Sequence, residues 1–152
     1  MLKTDLIHPD ILASLAAAGH HSKVLIADGN YPVASKFGPN AEIVHMNFMP
    51  GLLSCNQVLQ GLLTAIAVEE INTMQYHTEG EYALTEDPPV WADYRKTISE
   101  AGLDLELKPI EKWAFYDAVM NDDHVLTIQT GEKMGWANLI LTLGCRTFPI
   151  EG

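Results

Sequence analysis

Apolar and polar positions along the chain change their period several times, and each change marks an element. Ile11, Leu12, Leu15 and Ala18 fall on one face at helical spacing. Pro9 and Asp10 suit the first turn of that helix, and Gly19 suits the position past its last turn. "KVLIAD" (23–28) is an unbroken apolar run between turn formers, which predicts a buried strand. "GNYP" (29–32) then turns the chain into a second strand, "AEIVHMN" (41–47). "SCNQVLQGLLTAI" (54–66) returns to helical spacing with Ser54 as N-cap. A strand is predicted over "INTMQYHT" (71–78), followed by a polar loop (79–89). "PVWADYRKTISEAG" (89–102) reads as a helix begun by prolines and stopped by Gly102, and "LDLELKP" (103–109) alternates like a strand. A short helix (111–122) and two strands, "HVLTIQT" (124–130) and "ANLILTLG" (137–144), complete the pattern. This succession predicts one α/β domain over residues 1–152. It has three layers, α/β/α, around a mostly parallel or mixed sheet of about six strands.

Composition narrows the partners. The 152 residues are 47% hydrophobic, which suits a globular chain with its own core. Twenty Asp and Glu against nine Lys and Arg give a net charge of -11, and no basic cluster offsets it. Such a chain repels nucleic acid and acidic membrane surfaces. Cys55 and Cys145 stand far apart with no paired framework, so both are expected to be reduced and buried. The first residues lack the apolar core of a signal peptide, and no apolar run nears the ~20 residues that span a bilayer. A cytosolic location is expected.

Among motifs, the absences come first. Neither GxxxxGK[ST] nor GxGxxG occurs, so no nucleotide cofactor is expected, and HExxH and GxSxG are missing too. The histidines at 8, 20, 21, 45, 77 and 124 include no i,i+4 pair. His20 and His21, as neighbours in extended backbone, are expected to point apart and not to share a metal. No metal site is expected. Position supplies the remaining candidates. Asp28 and Thr130-Gly131-Glu132 lie beyond the carboxyl ends of predicted strands, where α/β sheets bind ligands. Asp28 is equally suited to be a plain turn former ahead of Gly29. His20 follows a helix C-terminus, whose negative dipole end favours imidazolium, the form that acts as a general acid. It could also simply help cap the helix. His21 reads as a surface bystander. Trp136 and Asn138 flank a turn, where an indole can stack on the C–H face of a polyhydroxylated ligand and an amide can donate and accept.

Three segments in register resemble the ribose pyranase and fucose mutarotase family (RbsD/FucU). They are "GHHSKVLIADGNYP", "EKWAFYDAV" and "TGEKMGWANLILTLG", spread over nearly the whole chain. "PVWADY" and "AFY" look closer to the fucose branch, whereas Ala137 in "WAN" is similar to the ribose branch. The resemblance implies a cofactor-independent isomerase acting on a free monosaccharide, L-fucose or a related sugar in the first place. It also implies His20 as proton donor, Asp28 as a sugar-binding and catalytic carboxylate, and Lys112, Trp136, Ala137 and Asn138 as sugar contacts. Two positions depart from the family pattern. Trp136 replaces a tyrosine and so lacks its hydroxyl, and Lys112 replaces an arginine or histidine without the planar fork of arginine. Ribose pyranase chemistry, or sugar binding without catalysis, are the alternatives.

The residues suit anomer exchange, which moves one proton off the anomeric hydroxyl and one onto the ring oxygen, with no hydride or electron transferred. One geometric expectation follows. A strand over 23–28 advances ~3.3 Å per residue, so His20 and Asp28 stand roughly 15–20 Å apart, beyond the reach of one monosaccharide. Either the strand is short or bent, or the two residues meet from different subunits. Family resemblance favours the second, since family members form rings, often decamers, with sites between subunits. The expected partners are therefore a monosaccharide and further copies of this chain.

Overall fold

The computed structural model of the protein describes residues 2–147. Ten elements alternate through it: α1 (Pro9–Ala17), β1 (Lys23–Ala27), β2 (Glu42–His45), α2 (Cys55–Leu63), β3 (Val68–Met74), α3 (Pro89–Glu100), β4 (Leu107–Ile110), α4 (Lys112–Val119), β5 (His124–Gln129) and β6 (Leu139–Leu143). The six strands form one sheet in the order β2-β5-β1-β6-β3-β4. β1 runs parallel to β5, β2 to β5 and β3 to β4, whereas β6 is antiparallel to both β1 and β3. Five strands therefore point one way and only β6 returns. The predicted three-layer mixed α/β fold is the observed one.

Alternation within the central strands assigns the layers. Val24 and Ile26 of β1 pack with Ile11 and Leu15 of α1, Leu59 and Leu62 of α2, and Trp91 and Tyr94 of α3. Leu25 and Ala27 face the other way, onto Phe115 and Val119 of α4 and onto Tyr31 and Val33. Three helices thus cover one face, and α4 with the 31–33 segment covers the other. β1 is buried along almost its whole length because both layers press on it.

Local chemistry explains the helix starts. Ser54 caps α2 in a reciprocal capping box with Gln57, and proline occupies the first turn of α1 and α3. Several expectations need correction. β3 begins at Val68 rather than 71 and ends at Met74: Val68 and Glu70 pair with β6 despite the charge of Glu70, and Glu69, inside the strand, sits at a shift in register between them. The alternating stretch 103–109 is a ladder strand only from Leu107 to Ile110. Leu103 and Leu105 pack onto the core from chain that is outside the ladder. Pro109 is tolerated there because β4 is an edge strand. Gly19 is not in the left-handed region. α1 instead stops by extending at Ala18 (ψ 161°), and the left-handed residue of this corner is His21 (φ 68°). Cys55 is a buried free thiol as expected, but Cys145 is exposed.

Candidate functional site

Topology brings Asp28 and Asn138 together. Asp28 follows β1, Asn138 precedes β6, and the antiparallel register sets Ile26 opposite Leu139, so the two residues meet at the same sheet edge. The Asp28 N–H donates to Asn138 Oδ1 (2.8 Å), and Asn138 Nδ2 donates to Asp28 Oδ2 (3.1 Å). The Asn30 N–H donates to Asp28 Oδ1 (2.9 Å) in an Asx-type turn. Asp28 is only 3% exposed. Burial raises its pKa above the usual 3.8, opposed by the backbone hydrogen bonds and reinforced by the nearby charge of Glu132. A buried carboxylate with spare lone pairs and raised basicity is suited to accept a proton.

A cavity of about 190 Å³ opens over this carboxylate. That is below the roughly 300–1,000 Å³ of sites for drug-sized ligands and suits a smaller guest. Asp28 and Asn138 form its floor, Met74 stands at the end of β3, Trp136 lies in the turn ahead of β6, and Lys112 and Tyr116 enter from α4. Tyr31 completes the lining. Its hydroxyl is fully buried and lacks a hydrogen-bond partner among the described residues. Burial, with Tyr116 and Asp28 close by, pushes its pKa well above the ordinary phenol range. Tyr116 is raised in the same direction, by burial first and by Asp28 second. Both phenols thus stay protonated at neutral pH and are available as hydrogen-bond donors.

The 130–138 segment supports this floor. Thr130 Oγ1 donates to the Ala27 carbonyl, and the Gly29 N–H donates to the Glu132 carbonyl. At Gly131 a Cβ would collide with the carbonyl oxygens of Leu52 and Met49, so only glycine lets these two turns touch. Trp136 takes a left-handed backbone (φ 62°), and its carbonyl accepts from Trp91 Nε1 (2.9 Å). Its ring lies 5.0 Å from that of His77. The Ala137 carbonyl accepts from Tyr94 Oη (2.7 Å), while its methyl is buried in the core rather than lining the cavity. Asn138 likewise acts mainly on Asp28, since one amide proton and the carbonyl oxygen are both directed at that residue.

Four of the six sequence candidates therefore line this cavity, Asp28, Lys112, Trp136 and Asn138, whereas Ala137, expected as a sugar contact, lies in the core behind it. His20 does not line it either. It lies at the opposite sheet edge, ahead of β1, with its Nε2 2.9 Å from Glu69 Oε2. β1 and β3 flank β6 and run parallel, so the chain entering β1 and the first residues of β3 meet over the end of β6. α1 ends at Ala17, three residues before His20, and the group that His20 meets in the structure is the Glu69 carboxylate. His21 does not point away. Its left-handed backbone turns its ring to within 4.0 Å of the His20 ring (centroid to centroid) and its Nδ1 to 3.5 Å from Glu69 Oε1. The expectation of diverging rings presumed extended backbone, which this corner lacks.

Sequence reasoning missed Tyr31, Tyr116, Met74 and Glu69. Tyr116 had a usable signal, because it stands four residues after Lys112 on one helix face. Tyr31 had none, since "GNYP" reads only as a turn. A larger cavity of about 560 Å³ runs along α1 and β2, and neither Asp28 nor His20 lines it. No helix among the described residues is long and apolar enough to cross a membrane.

The chain is similar to known proteins along nearly its whole length. A fucose mutarotase of Danio rerio is 28% identical over 141 residues, covering 91% of this chain and 89% of its own. The crystal structure of FucU from Bifidobacterium longum has a TM-score of 0.73 at 30% identity, covering 93% of this chain and 96% of that one. The fucose mutarotase of Streptococcus pneumoniae, solved with L-fucose, superposes with a TM-score of 0.75 at 24% identity over 96% of this chain and all of the other (100%). The profile of the RbsD / FucU transport protein family matches residues 1–146, and the chain belongs to that family.

Proposed function

We propose that the protein is a cofactor-independent monosaccharide mutarotase, an isomerase that exchanges the anomers of a free sugar in the cytosol, with L-fucose or a related sugar as substrate. The observation that carries this reading is the buried Asp28 carboxylate at the floor of a small cavity, faced by the unpartnered Tyr31 hydroxyl. Fucose mutarotases among its relatives supply the sugar class.

Asp28 takes the proton of the anomeric hydroxyl while a protonated His20 gives one to the ring oxygen. The bond between the anomeric carbon and the ring oxygen breaks, and an aldehyde forms. Rotation about the C1–C2 bond and the reverse transfers close the ring on the other face, leaving both residues as they began. Trp136 packs on the C–H face of the sugar, and Lys112, Tyr31 and Tyr116 bind its hydroxyls. Asn138 positions Asp28. Glu69 orients His20 through the 2.9 Å contact.

In one chain the length of β1 separates donor and base, so the site is completed by His20 of a second copy. The rim of the Asp28 edge suits an interface. Phe48 is 86% exposed and Trp113 63%, and Met49 and Leu52 are exposed beside them. A ring, with a decamer as the family resemblance suggests, lets every chain offer one residue of each kind.

The test is two-dimensional exchange NMR on L-fucose, with D-ribose as a second substrate, applied to His20→Ala, Asp28→Asn and a co-assembled equal mixture of the two. Each variant alone is expected to be inactive. In the mixture about a quarter of the interfaces pair a native His20 with a native Asp28, so about a quarter of the activity returns. Wild-type protein that leaves every tested sugar at the buffer rate sinks the enzymatic reading, and a mixture as inactive as its parents sinks the shared site.

A further inference from the structure

The geometry points to a divalent-cation site formed by His20, His21 and Glu69, with Zn²⁺ as the fitting ion, at the sheet edge opposite the Asp28 cavity. One ligand atom from each of the three side chains lies within 4.8 Å of the others. A tetrahedral zinc with bonds near 2.0–2.2 Å holds its ligand atoms about 3.3 Å apart. His20 Nε2 stands 2.9 Å from Glu69 Oε2 and His21 Nδ1 stands 3.5 Å from Glu69 Oε1, so both imidazoles meet the same carboxylate near that spacing, each through a different oxygen.

The backbone sets this convergence. The His21 N–H donates to the Leu143 carbonyl (3.0 Å) at the end of β6, while the Gly144 N–H donates to the Ala67 carbonyl (3.0 Å) just ahead of β3. These bonds hold the histidine corner and the start of β3 side by side. The left-handed conformation of His21 then turns the second imidazole toward the carboxylate that the first one already meets. A non-glycine residue in that conformation is uncommon and needs its surroundings to hold it.

Ligand type selects the ion. Two imidazoles with one carboxylate form a nitrogen-rich set suited to zinc, whereas magnesium and calcium prefer oxygen throughout. Three protein ligands leave the fourth position to water or to another small donor. A net charge of -11 raises the local concentration of any divalent cation. Binding by itself is independent of the sugar chemistry. A consequence for activity rests on the mutarotase reading: a ring nitrogen of His20 bonded to zinc cannot deliver a proton, so zinc silences exchange.

Cobalt titration followed by the visible d–d bands of a four-coordinate ion, with zinc displacement and zinc calorimetry, tests the site. All arms use a Cys145→Ser background so that the exposed thiol is not counted. One ion per chain is expected, and His21→Ala should weaken binding by more than the roughly tenfold that loss of a supporting hydrogen bond costs a metal site. In exchange NMR, zinc should slow the parent protein, while His21→Ala keeps its basal rate and loses most of its zinc sensitivity. Absence of saturable cobalt or zinc binding, or equal affinity with and without His21, overturns the site. Failure of sugar exchange without any metal overturns the mutarotase reading alone, because the cobalt spectra still decide whether the ion binds.

Discussion

The two ends of β1 are built on opposite principles. At its carboxyl end Asp28 is buried at the floor of a cavity, held by Asn30 and Asn138, beside a phenol that has no hydrogen-bond partner among the described residues. At its amino end the side chains of His20 and Glu69 keep about two fifths of their surface exposed, 42% and 38%. A buried carboxylate gains basicity from desolvation, and neighbouring dipoles fixed by the fold keep it oriented. An exposed ion pair is screened and contributes only about 0–1 kcal/mol to stability. The carboxyl end is thus a preformed cavity, whereas on the proposed reading the amino end takes part in the reaction only when something covers it. A second subunit would do so.

That contrast predicts two different ways to lose activity. His20→Ala and Asp28→Asn should each slow anomer exchange by about 10²–10⁴-fold, the usual contribution of a general acid or base. Stability should separate them. His20→Ala removes an exposed side chain, so its thermal midpoint should stay close to wild type, within the ~0.5 kcal/mol typical of surface changes. Asp28→Asn sets one amide NH₂ against that of Asn138, whose carbonyl is held by the Asp28 N–H, and should cost about 1–3 kcal/mol. Differential scanning calorimetry beside exchange NMR checks both. Equal destabilisation by the two variants would break the contrast between the edges.

How far the sequence reveals each edge follows from the same difference. Asp28, Trp136 and Asn138 were legible because each sits at a turn or an element boundary, and boundaries carry turn and capping signals, whereas Lys112 came only with the family resemblance. The sheet was legible from apolar runs, with errors where charge or register interfered. Glu69 and Glu70 disguised the start of β3, and Leu103 and Leu105 imitated a strand while packing outside the ladder. Tyr31 escaped because a turn gives no sign of which side chain folds inward. The meeting of His20, His21 and Glu69 escaped for a different reason. It depends on β6 lying between β1 and β3, and on one left-handed residue, neither of which has a local signature.

Tyr31→Phe sharpens the reading of the buried edge. A buried hydroxyl without a partner costs the fold about 1–3 kcal/mol. Its removal should therefore stabilise the sugar-free protein by about 1 kcal/mol, or roughly 2–4 °C in thermal midpoint for a chain of this size. The same change removes a donor to a sugar hydroxyl, so apparent affinity should fall about tenfold, with the rate at saturation less affected. Calorimetry and the concentration dependence of exchange read the two effects separately. A loss of stability would mean that the hydroxyl is already satisfied, by water or by another chain.

The smallest expected effect concerns pH, and it tests whether the amino edge is uniformly wet. His124 opens β5 at that edge yet is only 1% exposed. Its Nδ1 accepts the Gly38 N–H (2.9 Å), so the neutral ring carries its proton on Nε2, which donates to the Leu126 carbonyl (2.9 Å). Burial holds its pKa below the ordinary 6.5, with Lys23 acting in the same direction and the backbone hydrogen bonds against it. The unfolded chain thus takes up this proton near pH 6.5, and the folded chain only at lower pH. Between those two values the unfolded state binds more protons, so stability rises with pH through the window and is lost as pH falls below about 6.5. Asp28 works in the opposite sense. Its pKa is raised in the fold, so the folded state binds more protons above 3.8 and stability falls as pH rises through that range. Denaturant midpoints between pH 4 and 8 should therefore show a decline on acidification below about 6.5 that His124→Asn flattens, although that variant starts from lower stability. An unchanged slope in His124→Asn would place the acid-sensitive group elsewhere.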